Sequence, residues 1–173
     1  MKKLFFAFSS MMLALISASL LVACSDDDDD ESQTSLDDIV GLYSGDMDCD
    51  VTVMGRVINI DYNEVKAEVS KNADGQTLCI KIKDFAYAGD NYGDIVIDNV
   101  VVDKYNDDGS VTLAGTNVCP LTKNEKAYDA TVAMLGSFTR LQNSLQLDID
   151  MSLPVSEKMT ILFKIDYQSL TRN

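Results

Sequence analysis

Thiols and carboxylates carry the potential chemistry of this 173-residue chain, because it contains no histidine. Without an imidazole there is no Ser-His-Asp or Cys-His arrangement and no His-based zinc or haem site. The cysteines stand at 24, 49, 79 and 119, too far apart for a metal or redox pair of the Cys-x-x-Cys kind. Asp46, Asp48 and Asp50 recur at every second position. A glycosidase needs two carboxyls converging on one bond, one of them with a raised pKa. Alternation instead places these three together on the polar face of one strand, toward water. Asn106-Asp107-Asp108-Gly109 offers oxygen ligands but lacks the 12-residue spacing and terminal Glu of an EF-hand, so it reads as a hairpin turn. These patterns point to a non-enzyme, with no catalytic, metal or cofactor residue.

Cys24 is the exception, through its surroundings. Met1-Lys2-Lys3 is followed by an apolar run from Leu4 to Leu21 and then by Leu21-Val22-Ala23-Cys24. A basic start, a short apolar segment and small residues at a cut site are what a secretion signal requires. The last four residues resemble a bacterial lipobox. That resemblance implies a diacylglyceryl thioether on Cys24, cleavage before it, and acylation of the new amino terminus. Residues 1–23 are then a lipoprotein signal peptide. Each buried CH2 contributes about 0.8 kcal/mol, so two or three chains hold a protein firmly on a membrane it does not cross.

Asp26 to Asp30 and Glu31 follow at once. Such a block repels itself and stays solvated, which makes residues 24–38 a lipidated cysteine with a flexible acidic tether. An acidic run two residues beyond the lipidated cysteine also resembles the export signal of Bacteroidetes-type lipoproteins. This implies the outer face of the outer membrane, that is, the cell surface. The chain has 28 acidic and 14 basic residues, and loss of Lys2 and Lys3 with the signal leaves it more acidic still. A surface of this sign repels nucleic acid, so no nucleic-acid partner is expected.

Residues 39–173 suit one domain with a sizeable core, and they read as strands nearly throughout. From Leu42 to Val53, Tyr43, Met47, Cys49, Val51 and Val53 alternate with polar residues, the period of a half-buried strand. Gly55 marks a turn, and the strand from Arg56 to Ser70 returns. Its apolar positions move from even (Ile58, Ile60, Tyr62) to odd (Val65, Ala67, Val69), which predicts a bulge near Asn63-Glu64. A turn at Asn72–Gly75 leads into the strand beginning at Leu78; Ile95–Val102 is the next strand, and a turn at Asn106–Gly109 joins it to Val111–Val118. Tyr128–Phe138, Leu145–Leu153 and Lys158–Tyr167 complete eight strands. The fold class is all-β: an antiparallel, up-and-down eight-stranded β-barrel is preferred to a sandwich because closure removes exposed edges.

Gly41-Leu42-Tyr43-Ser44-Gly45, Lys83-Asp84-Phe85, Gly93 to Val100 and Asp108 to Gly115 together resemble the calycin-like family of bacterial lipoproteins. The resemblance covers about Ile39 to Tyr167 and implies a lipocalin-related barrel with no established ligand or activity. The chain departs from the family in its long second strand and in an insert from Leu121 to Lys126. The matching residues have structural explanations. The glycines permit bends, Asp84 caps a strand end, and Phe85 plugs the core.

After lipidation of Cys24 three thiols remain. Parity places Cys49 and Cys119 inward and Cys79 outward, so if any two pair, the disulfide is Cys49 with Cys119; otherwise all three are small packing residues. Met134, Met151 and Met159 with Phe138 and Phe163 are core filling, or else the lining of an adaptable pocket. The expected function is binding of a small, mainly apolar ligand inside the barrel. The alternative is a protein-interaction or structural module with a solid barrel, its loops contacting an envelope protein partner.

Overall fold

The computed structural model describes residues 34–173. The signal peptide read over residues 1–23, the lipidated Cys24 and the acidic run lie outside the described residues. The described chain forms a one-turn helix α1 (Leu36–Ile39) and eight strands. These are β1 (Gly41–Val53), β2 (Arg56–Lys71), β3 (Leu78–Tyr87), β4 (Asp90–Tyr105), β5 (Ser110–Lys123), β6 (Lys126–Thr139), β7 (Ser144–Ser156) and β8 (Met159–Arg172). Each strand pairs antiparallel with the next, and β8 pairs with β1 to close the barrel.

Period-two alternation does the folding work. Tyr43, Met47, Cys49 and Val51 of β1 are buried, while Asp46, Asp48 and Asp50 between them are exposed. The predicted bulge is present: the β1–β2 register slips between Gly45/Val65 and Met47/Tyr62, and Glu64 takes φ 56°. Asn72–Gly75 and Asn106–Gly109 are turns, with Gly75 and Gly109 at positive φ and their N–H groups donating to Asn72 O and Asn106 O. Glycine reaches that region without the clash a Cβ would bring.

Three expectations change. The stretch Leu121 to Lys126, beyond the strand read over Val111–Val118, is paired as well: β5 and β6 continue to Lys123/Lys126 around a two-residue turn, Asn124-Glu125, both at positive φ. Asp84 does not end β3. It is the extra residue of a second bulge, at φ 56°, after which Phe85 is buried and the strand runs on to Tyr87. The end of the acidic stretch is folded. Thr34 is buried with its hydroxyl donating to Gly109 O (2.7 Å), and α1 closes one end of the barrel, with Ile39 fully buried and its carbonyl accepting from the Tyr43 hydroxyl (2.6 Å). A Ser35–Asp38 capping box makes this turn a helix start, and the acidity of its first turn suits the positive end of the helix.

The barrel is solid. Inward residues of all eight strands form one cluster, among them Cys49, Val51, Ile80, Ile82, Ile97, Leu113, Cys119, Phe138, Leu145, Leu153, Ile165 and Tyr167, each with no accessible surface. Met134 and Met151 belong to this packing. At the end opposite α1 the rings plug the mouth: Phe163 meets Phe85 and Tyr87 edge-on at 5.3 Å, and Tyr92 packs beside Phe85 and Tyr128. Such edge-to-face pairs add about 1 kcal/mol each to their burial. Among the described residues the core is drawn from α1 and the barrel, and Gln33–Asn173 forms one compact unit.

Candidate functional site

The room in this barrel is in its wall. The β2–β3 ladder runs only from Lys71/Leu78 to Ala67/Ile82. Beyond that point β2 extends back to Arg56 and β3 forward to Tyr87, without pairing to each other. Between them lies a cleft of about 700 Å³, whose lips are Tyr62–Glu68 and Ile82–Ala86 and whose floor is Tyr43 and Met47 of β1.

Two matched bulges part the lips. On β2 the extra residue lies at Asn63-Glu64; on β3 it lies at Lys83-Asp84. Both Glu64 and Asp84 stand at φ 56°, a region that non-glycine residues rarely adopt. Each is pinned by an aspartate of the neighbouring strand on the far side: Asp46 of β1 accepts from Glu64 N–H (3.2 Å), and Asp94 of β4 accepts from Asp84 N–H (3.0 Å). A bulge bends its strand, and here the two bend away from one another. At one end the gap is closed by the Lys83–Glu68 ion pair (2.8 Å), which holds Glu68 below the usual carboxylate range and Lys83 above the usual ammonium range. Across the gap itself the Tyr62 hydroxyl donates to Ala86 O (2.7 Å).

Behind Tyr62 sit Cys49 and Tyr167. Burial, and then Cys49 and Tyr62, push the Tyr167 phenol up, and its hydroxyl has no hydrogen-bond partner although the residue is fully buried. Burial, and to a lesser extent Asp50, push the Cys49 thiol up to about 11. Both groups are therefore neutral near neutral pH, so Cys49 offers no thiolate for nucleophilic chemistry there.

Cys49 and Cys119 are free thiols, on strands that are not neighbours; Cys79 is free and half-buried. Cys119 is held in the β4–β5 wall instead, where its sulfur accepts from Val96 N–H (3.2 Å). The three β1 aspartates do not converge: Asp46 holds the β2 bulge and Asp50 accepts from Asn59 (3.0 Å). No group of three or more His, Cys, Asp and Glu placed to hold a metal occurs among the described residues. Tyr62, Ala86 and the second bulge did not stand out in the sequence, although the parity switch from Ile82 to Phe85 carries the same signal as the one read in β2.

No curated protein matches the chain. A solved structure of a proposed outer membrane protein from Bacteroides fragilis superposes with a TM-score of 0.51 at 14% identity, over 77% of this chain and 52% of that one. The chain thus spans about half the length of that protein, and the likeness is one of fold. The family model described as Calycin-like beta-barrel domain matches residues 39–168, nearly the whole of the barrel. With its closed eight-strand meander and that match, the chain belongs to the calycin-like β-barrel domain family.

Proposed function

We propose that this protein is a non-enzymatic lipoprotein of the outer membrane, held by acyl chains on Cys24 and displayed at the cell surface, whose barrel serves as a scaffold for contact with another envelope protein. The filled interior carries this reading. A carrier of the lipocalin kind needs an empty centre lined by apolar side chains. Here the inward side chains of the strands, apart from the stretch of β2 before Ala67, pack into one buried cluster that leaves no empty centre for a guest. Binding therefore falls to the outside of the wall and to the β2–β3 cleft. The Leu21-Val22-Ala23-Cys24 sequence and the acidic run after it support the address.

A second reading is favoured by one observation: the cleft of about 700 Å³, floored by Tyr43 and Met47, has the size of a small-molecule site. A small, mainly apolar ligand would then bind in the wall and not in the centre. Native mass spectrometry of residues 32–173 from an exporting host, followed by organic extraction, separates the two readings. A clean apo mass is expected, and a discrete apolar molecule released on extraction overturns the first reading in favour of the second. The address is tested by metabolic labelling with a fatty-acid analogue. Incorporation lost in Cys24→Ala is expected, and unchanged incorporation overturns the anchor.

A further inference from the structure

We infer that the β2–β3 cleft takes an extended polypeptide segment, which adds as a strand between the two lips. The inference rests on the reading of the barrel as a protein-contact module and supplies the partner's chemistry. Where the ladder ends, Arg56 to Lys66 on one side and Lys83 to Tyr87 on the other are strands with a neighbour on one side only. Main chain in β conformation offers alternating N–H and C=O groups, and the partner that matches two such edges at once is another main chain. A strand seated between them would lie about 4.8 Å from each.

Side-chain exposure shows the same missing neighbour. Ile58 and Ile60 point to the inner face of β2, and their partners across the sheet, Val51 and Cys49, are fully buried. Ile58 itself is 49% exposed and Ile60 only half-buried, because β2 runs on past the end of β3 at Tyr87 and no strand covers them from that side. An apolar inner face on a strand with an open edge is the template that sheets ordinarily avoid presenting. Tyr62 stands in for the absent strand by giving its hydroxyl to the carbonyl of Ala86. The opposed residues Glu64 and Asp84, held at positive φ by Asp46 and Asp94, keep the lips apart without a ligand. Backbone held in sparsely populated regions clusters where a protein binds or switches. The guest is thus an extended segment whose alternate side chains are apolar, laid over Ile58, Tyr62 and Phe85, and it takes the place of the Tyr62 latch.

The test uses isotope-labelled residues 32–173 and, as probe, an end-capped hexapeptide alternating valine and threonine, with an analogue N-methylated at alternate amides. The expected result is peptide-induced amide shifts confined to residues 56–68 and 82–87, with binding about tenfold weaker for the analogue and for Ile58→Lys. Equal binding of the two peptides, shifts elsewhere on the barrel, or no shifts at millimolar peptide overturn the inference. Concentration-dependent dimers abolished by Ile58→Lys also overturn it, since the occupant is then a second copy. Photo-crosslinkers at Lys66 and at Val118, on the outer face of β5, separate this from the parent reading in the exporting host. A protein captured from Lys66 through an extended segment supports the inference. Capture from Val118 alone overturns it and leaves the module reading standing, while no capture from either site overturns both.

Discussion

Two seams in this barrel show what happens when a ladder stops, and they resolve differently. The β4–β5 register ends at Val101/Ala114, and from there toward the β5–β6 turn the strands are joined by side chains. Asn117 Nδ2 donates to Val96 O (2.9 Å), Val96 N–H donates to Cys119 Sγ, and Lys123 is paired with Asp90 at the end. Gly115 lets the strands approach, since a Cβ there would stand 2.9 Å from Val100 Cγ2. The β2–β3 seam has Tyr62 at its middle and the Lys83–Glu68 pair at its edge, and between them it is open. Inward polar side chains that fold back on the neighbouring main chain heal a seam. Two bulges bent apart preserve one.

Substitutions that break the closed seam carry the largest effects. Gly115→Val drives a branched side chain into Val100 and Ile97 and is expected to destabilise the barrel by about 3 kcal/mol, the upper part of the overpacking range. Asn117→Ala leaves the Val96 carbonyl without its donor but also removes an Oδ1 buried without a partner, so its net cost is expected to be about 1 kcal/mol. Lys66→Ala, on the lip of the open seam, is expected to change stability by less than about 0.5 kcal/mol. Urea midpoints at neutral pH measure all three, and equal losses at the two seams would erase the contrast.

Alternation made the barrel legible, because half-buried strands must repeat with period two and eight of them at this spacing close readily. One lip of the cleft was legible too, in the even-to-odd switch around Asn63-Glu64. The other lip carries the same switch between Ile82 and Phe85, but Lys83-Asp84 within it looks like a polar strand end. Only the continuation to Tyr87 distinguishes a bulge from a terminus. Whether the centre is empty cannot be read from parity, since Met47, Phe163 and Tyr167 point inward in a filled or a hollow barrel alike. Long-range rungs such as Asn117 to Val96 leave no periodic signature.

The tyrosines behind the open seam sharpen the contrast by opposite signs. Tyr62→Phe removes the bond to Ala86 O and is expected to cost about 1 kcal/mol and to speed amide exchange along β3 from Asp84 to Tyr87. Tyr167→Phe removes a hydroxyl that is buried without a partner, so the fold is expected to gain up to about 1 kcal/mol. Thermal unfolding of the two variants decides the matter, and a loss in Tyr167→Phe would mean that its hydroxyl has a partner within the barrel.

The smallest effect is the most specific, because it sets a thiol behind the open seam against one inside the closed seam. Burial raises both, and nearby aspartates oppose ionisation of both (Asp50 at Cys49, Asp98 and Asp94 at Cys119), but Cys119 also receives the Val96 N–H, which favours its ionised form. An unfolded thiol ionises near 8.5, while Cys49 in the fold holds its proton to about 11. Across that window the unfolded chain binds fewer protons than the folded one, so stability falls with rising pH. The contribution is whole below about 8.5 and is lost as pH climbs through about 11. Cys49→Ala is therefore expected to flatten the decline in urea midpoint between pH 8.5 and 10.5 more than Cys119→Ala does. Equal flattening would show that the Val96 donor does nothing for the Cys119 thiolate, and that the closed seam is held by Asn117 and Lys123 alone.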